Sequence, residues 1–299
     1  LSVVLMAYIF PPLIFKFLVK SSGKYRQRPI SIINLSIMGL SALVFFIQLF
    51  TVYLLGFVLL ELLPHSERRR LWLRRYQQRL FLFDLKHIPR VKFSVEGITD
   101  ETFSTSSIII SNHQSMLDAA IFMALSPKTI LVSNEKVSCN PIIRKIFKWN
   151  GFITLCDMNS IDDNLIKSYV ANGYSLVIFP EGIRNAHSSI RRFHKGAFLL
   201  AERYQLDIQP FIIHGLNMVL PRNSIQVFPG QMTVRAYGRI KHNGKIPYAE
   251  LTSQLHDFYK KEYAQIARQT ETASYYSPLV LDRYRYKGEE IFRAVCRKL

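Results

Sequence analysis

Cysteine is scarce in this chain. Cys139, Cys156 and Cys296 are odd in number and far apart. They offer neither a disulfide framework nor the paired spacing of a zinc site, and they point mildly to a reducing compartment. Acidic residues are also short, 21 against 39 Lys and Arg, for a net charge of +18. An excess of that size implies an anionic partner: nucleic acid, anionic lipid or a phosphorylated substrate. Residues 30–60 carry no charge at all. No basic n-region and cleavage site mark a signal peptide. There are no internal repeats and no low-complexity tracts. The chain opens on Leu1 inside an apolar run and ends on Lys298-Leu299, which reads as a piece of something longer.

What is present begins with apolar length. With 49% hydrophobic residues over 299 positions, a substantial core is possible. Residues 1–19 are almost wholly apolar, with Pro11-Pro12 inside, and match one membrane crossing or its tail. Lys16, Lys20, Lys24, Arg26 and Arg28 follow. The stretch 30–60 is long for one span. Its far flank holds Arg68, Arg69, Arg70, Arg74 and Arg75. Basic flanks at both ends ask for the cytoplasmic face, so a hairpin that dips in and returns is preferred over a single crossing. Over 66–90, Arg68 to Tyr76 and then Leu80-Phe81-Leu82-Phe83 interleave basic and bulky apolar residues. That fits an amphipathic helix on an anionic bilayer, or equally a solvated basic helix packed on the domain. Nucleic-acid binding is a poor third, because membrane-like stretches lie immediately upstream. The expected organisation is therefore 1–28 as the tail of a membrane helix with a basic loop, and 29–65 as a membrane hairpin or span. Then come 66–90 as an interfacial helix, 91–247 as the main domain and 248–299 as C-terminal helices or linker.

From about residue 91 the pattern is α/β. Residues 91–96 alternate as a half-exposed strand, and 107–110, 129–132, 152–155, 175–179 and 208–213 are short apolar strand-like runs. Residues 226–240 suggest one or two antiparallel strands around Pro229-Gly230. Helical patterns fall at 119–125, 141–149, 162–171, 197–204, 248–270 and 278–299. The alternation predicts a mixed, mostly parallel sheet covered by helices, preceded by N-terminal membrane helices.

Three groups could carry chemistry, and two follow buried strands. Asn112-His113-Gln114-Ser115-Met116-Leu117-Asp118 straddles a strand-to-helix turn, where α/β folds place their sites. On one regular helix, positions five apart lie about 140° apart. His113 and Asp118 can meet only if the histidine sits on the turn. A carboxylate on one ring nitrogen would fix the tautomer and leave the other to take a hydroxyl proton. The same residues also match a capping box, with Ser115 as N-cap and Asp118 at N3, and both readings stand. Phe179-Pro180-Glu181-Gly182-Ile183-Arg184 forms the second group. Gly182 permits a tight turn, Arg184 could fork onto a phosphate, and Glu181 could orient it. A solvated turn with an ion pair is the plain alternative. In the third group, Lys195 stands at a helix start just past Arg191 and Arg192, which is either an anion site or a basic loop.

Together these groups resemble the glycerolipid acyltransferase family, which includes the lysophosphatidic acid acyltransferases. His113 and Asp118 match its His-x4-Asp motif. Phe179 to Arg184 matches Phe-Pro-Glu-Gly-Thr-Arg with isoleucine for threonine, Phe193 to Ala201 resembles the Phe-Lys-x-Gly-Ala segment, and Pro210 resembles the fourth motif. Order and spacing agree over roughly 90–240. The resemblance implies transfer of an acyl group from acyl-CoA or acyl carrier protein to a lysolipid hydroxyl. It makes His113 the base, Asp118 its partner, and Asn112, Glu181, Gly182, Arg184 and Lys195 substrate-binding. It implies no metal, no cofactor and no covalent acyl-enzyme. The family's second motif carries an arginine where this chain has Asp157. That reversal of charge opens the acceptor's identity, with Arg144, Lys136 or Lys195 as substitutes. Residues 1–19 resemble the last helix of resistance-nodulation-division lipid exporters, which some bacterial proteins fuse to an acyltransferase. The expected location is the inner (cytoplasmic) membrane, with the catalytic domain on its cytoplasmic face. The alternative is a non-catalytic lipid-binding module beside an exporter.

Overall fold

A computed structural model describes residues 32–64, 66–115, 117–134, 141–155, 162–185, 189–220, 227, 230–244 and 246–270. The expected features at 1–28 and 278–299, the cysteines, Lys136 and Asp157 lie outside the described residues.

The core is a seven-stranded sheet. Its strands in chain order are β1 (Val91–Glu96), β2 (Ile108–Ser111), β3 (Thr129–Asn134), β4 (Ile153–Leu155), β5 (Ser175–Ile178), β6 (Ile208–His214) and β7 (Gly230–Ala236). Across the sheet they run β1-β7-β6-β2-β5-β3-β4. All pairings are parallel except β6 with β7. The sheet is thus mixed and mostly parallel, as the sequence predicts. The 226–240 region supplies a single strand, starting at Gly230.

The middle strands are apolar throughout because both faces are covered. Along β2, side chains alternate between two cores. Ile108 and Ile110 join Leu176, Ile208 and Ile212 on one face. Ile109 joins Val177, Phe211 and Ile213 on the other. The first face is covered by α5 (Asp163–Ala171), α6 (Gly196–Arg203) and α8 (Tyr248–Thr270). The second is covered by α2 (Glu67–His87) and α3 (Leu117–Leu125). The remaining helices are α1 (Ile32–Phe57), α4 (Pro141–Asn150) and the short α7 (Leu216–Val219).

Helix α8 belongs to the core rather than to a linker. Tyr259 is fully buried; its hydroxyl donates to Ile110 O at 2.7 Å and accepts from Phe211 N at 3.2 Å. It therefore ties β2 to β6 just below the turn that carries His113.

Two expectations about the N-terminal half change. The stretch from Ile32 to Leu62 is one continuous helix, α1 running on into a π-helical turn at Val58–Leu62. The hairpin turn expected inside 30–60 is not there. Beyond Leu62, α2 packs back along α1. Gln48 Nε2 donates to Asp84 Oδ1 at 2.9 Å, and the Thr51 and Tyr76 hydroxyls meet at 3.0 Å. Gly56 lets α1 press on α4, since a Cβ there would sit 2.5 Å from the Trp149 ring.

Arg74 is the second change. Counted among the membrane-facing cations, it is 3% exposed. Its guanidinium donates to the carbonyls of Pro127, Thr129 and Asn150. Burial lowers its pKa to about 10. A fork of N–H donors satisfies three backbone acceptors at once, which a lysine could not do in that geometry. Helix α2 thus faces inward with Leu73, Arg74, Gln77 and Leu85. Its exposed residues include Arg68, Trp72, Arg75, Arg79, Phe83 and Lys86. At about 100° per residue these six fall on one stripe.

Candidate active site

Strands β2, β5 and β6 are parallel neighbours, so their carboxyl ends open at one edge. Residues 112–115, 179–185 and 214–216 follow those ends. The 112–115 turn is held from several sides. Asn112 clamps it to β6: its Nδ2 donates to Ile213 O and its Oδ1 accepts from Ile213 N, both at 2.8 Å. Gln114 anchors it to α8 and α7, donating to the Tyr263 hydroxyl at 2.8 Å and accepting from Leu216 N at 3.0 Å. His113 O accepts from Asn185 N at 2.6 Å.

His113 and Asp118 are brought together. Asp118 Oδ2 lies 2.6 Å from His113 Nδ1, 2.6 Å from Gln114 N and 3.0 Å from Ser115 N. An oxygen that already accepts two backbone N–H groups is an acceptor for the ring as well. Nδ1 therefore donates, and in the neutral ring Nε2 is left as the proton acceptor. The Asp118 side chain is fully buried, whereas 21% of the His113 side chain is exposed. The pair is a buried carboxylate bonded to a partly exposed histidine. The ring also stacks on Phe179, centroids 4.3 Å apart and planes within 17°. Asp118 reaches back from the first turn of α3 to Ser115 N and His113 through one oxygen, but the Ser115 hydroxyl donates to Leu220 O at 3.2 Å and accepts from Leu117 N at 3.5 Å, so only half of the expected capping box forms.

Glu181 is 3% exposed. Its Oε1 accepts from His113 N at 3.0 Å and its Oε2 from Arg191 N at 3.1 Å. Desolvation pushes its carboxyl up to about 7, opposed by those two N–H groups and the His113 charge. The resemblance groups Asn112 and Glu181 with acceptor binding; in the fold the polar side-chain atoms of both are engaged by backbone. Gly182 adopts φ +69°, and its Cα lies against the His194 ring. Arg184 is half-buried and Lys195 exposed, the latter just ahead of α6. Arg144 is exposed on α4.

An apolar cavity of about 100 Å³ adjoins the site, lined by Ile178, Phe179, Pro180, His194, Ala197 and Leu200 among others. Phe179 thus touches both the cavity and the histidine. Sequence reasoning named Gln114, Arg191 and Phe179 but not the anchoring role of Gln114, the bond from Arg191 N to Glu181 or the stacking of Phe179 on His113. Phe179 lay in a quoted motif, but the other two act through partners remote in sequence, and nothing local marks them.

The chain is similar to known proteins in sequence and in fold. Residues 90–214 match the Acyltransferase family model. Over 155 residues the chain is 28% identical to the 1-acyl-sn-glycerol-3-phosphate acyltransferase of Cocos nucifera, covering 50% of this chain and 49% of that protein. Over 184 residues it is 25% identical to the human 1-acyl-sn-glycerol-3-phosphate acyltransferase alpha, covering 56% and 62%. The alignments thus span about half to three-fifths of those relatives' own lengths. The crystal structure of the 1-acyl-sn-glycerophosphate acyltransferase of Thermotoga maritima shares the fold. Its TM-score is 0.64 at 16% identity, over 79% of this chain and 96% of that one. Residues 90–214 are thus similar in sequence to the Acyltransferase family, and the chain shares the fold of the Thermotoga maritima enzyme.

Proposed function

We infer that the chain is a membrane-associated O-acyltransferase that moves a fatty acyl group from acyl-CoA or acyl carrier protein to the hydroxyl of a lysophospholipid-like acceptor. The observation that carries this is the 2.6 Å bond from His113 Nδ1 to a buried carboxylate, with the histidine partly exposed. Nε2 removes the hydroxyl proton as the acceptor oxygen attacks the thioester carbonyl. The tetrahedral species collapses, the C–S bond breaks, and the imidazolium returns its proton to the thiolate. Asp118 stabilises that imidazolium, a general-base contribution of roughly 10² to 10⁴ in rate. Asn112, Gln114 and Glu181 hold the turn in place. The apolar cavity beside Phe179 offers room for part of an acyl chain.

Membrane association is supported by two surfaces. Helix α1 exposes Phe46, Phe50, Leu54 and Phe57, and Gly39–Leu62 is long and apolar enough to cross a membrane by length and composition. The α2 stripe adds cations and aromatics suited to anionic headgroups. The reading places the domain on the cytoplasmic face of the inner membrane.

The test is acyl transfer by the purified protein from thioester donors to lysolipids. His113→Ala should reduce turnover by at least about a hundredfold with the thermal transition retained. Turnover that survives the substitution, or wild-type protein that binds lysolipid without transferring to it, would overturn the reading.

A further inference from the structure

We propose that Tyr263 of α8 is a positioning residue for His113, acting through Gln114 from outside the residues that match the family model. The inference rests on the acyltransferase reading and extends its machinery to α8, since the family match ends at residue 214.

Gln114 and Tyr263 are both buried. The Gln114 amide has one orientation, because Leu216 N can only donate. Its Oε1 accepts from Leu216 N at 3.0 Å, and its Nε2 donates to the Tyr263 hydroxyl at 2.8 Å. The side chain thus bridges α7 and α8, while its own backbone carries the dyad. Gln114 N donates at 2.6 Å to Asp118 Oδ2, the oxygen that meets His113 Nδ1. His113 is the preceding residue. A displacement of Gln114 therefore shifts the histidine against the oxygen that orients it.

The anchor on α8 is itself fixed. Tyr263 packs on the His214 ring, centroids 5.1 Å apart. The Thr270 hydroxyl donates to Ile266 O at 2.8 Å, so it accepts from His214 Nδ1 at 3.2 Å. One turn before Tyr263, Tyr259 holds β2 and β6 by their backbone. The two tyrosines share a helix face but bond different partners. Tyr259 bonds strands, whereas Tyr263 bonds the side chain next to the reacting histidine. Removing the Tyr263 hydroxyl keeps the ring and its packing, and takes an acceptor from a buried amide N–H that must then seek another. The turn loosens at a point where a misplacement of about 1 Å costs roughly a hundredfold in rate.

The experiment compares Tyr263→Phe with Tyr259→Phe, a hydroxyl deletion on the same helix face. Tyr263→Phe should lower kcat roughly tenfold to a hundredfold, with KM for donor and acceptor within about threefold. Tyr259→Phe should cost thermal stability and keep kcat within about threefold. Gln114→Leu should lower kcat as far as Tyr263→Phe, and the double variant no further. Unchanged kcat in Tyr263→Phe, equal losses of kcat in the two tyrosine variants, or losses that multiply in the double variant would overturn the assignment. Proton NMR reads the dyad without turnover. The downfield signal of His113 Nδ1–H, identified by its loss in His113→Ala, should shift or broaden in Tyr263→Phe and stay in place in Tyr259→Phe. If the wild type transfers no acyl group, the acyltransferase reading fails and this signal alone decides. No change in Tyr263→Phe overturns the positioning role, and a selective change supports it.

Discussion

Replacing Asp118 with asparagine separates two jobs that one oxygen performs. Asp118 Oδ2 accepts from Gln114 N, Ser115 N and His113 Nδ1, while the buried Oδ1 has no hydrogen-bond partner among the described residues. In the variant the amide oxygen takes the place of Oδ2 and keeps the backbone bonds. The amide nitrogen takes the place of Oδ1, where its N–H groups find no acceptor. An unsatisfied buried donor costs about 1–3 kcal/mol. Flipping the amide is worse, because it points N–H groups at N–H groups. The fold should therefore survive with a modest loss of stability. Because the amide oxygen keeps both backbone bonds, a residue that only held the turn would tolerate the change. Catalysis should not, because the negative charge that stabilises the imidazolium is gone. A fall in kcat of roughly 10² to 10⁴ is expected. Thiol release from an acyl thioester with lysolipid acceptor measures the rate, and urea denaturation measures stability. Asp118→Ala should destabilise more, since it strands both backbone N–H groups. If Asp118→Asn keeps kcat within about threefold, Asp118 is a cap only and the dyad argument is wrong.

Further outcomes test the fold and its surfaces. Arg74→Met strands three buried carbonyls and should destabilise the protein by about 3–5 kcal/mol in urea, in the range for breaking a buried charge network. Unchanged stability would mean that Arg74 is not the α2 anchor. By contrast, Arg75→Gln with Arg79→Gln should leave urea stability alone. It should weaken binding to anionic vesicles by about 1 kcal/mol per cation removed, roughly thirtyfold for two. Equal binding by wild type and variant would count against the stripe. Glu181 is raised in the fold from 4.5 to about 7. Between those values the folded chain holds a proton that the unfolded chain has released, so stability falls as pH rises through the window and levels off above it. The shift corresponds to about 3 kcal/mol. Glu181→Gln should remove that part of the pH dependence, and a wild-type slope in the variant would refute it.

The readable parts of this protein were those written locally. Apolar runs marked the middle strands because a parallel strand covered on both faces has no polar side to show. The turn at 112–118 was legible because a strand, a histidine and a helix start follow one another. What escaped depended on partners far along the chain. The fate of Arg74 is decided by carbonyls at Pro127, Thr129 and Asn150, and nothing in 66–90 says which face of α2 meets them. Basic flanks argued for a hairpin inside 30–60, but charge reports which side a segment's ends favour, not where the chain reverses. The helix runs unbroken through the apolar stretch to Leu62, and only after it does α2 pack back.

Glu181 shows the same limit at the site and carries a consequence for the acceptor. Read locally, a glutamate beside Arg184 is its partner or a substrate ligand. In the sheet, β5 lies next to β2, so Glu181 reaches back to His113 and across to Arg191. Asp118 is likewise committed to backbone and ring. Both Glu181 oxygens are taken by backbone, and neither is left as a ligand for an acceptor hydroxyl while the turn is intact.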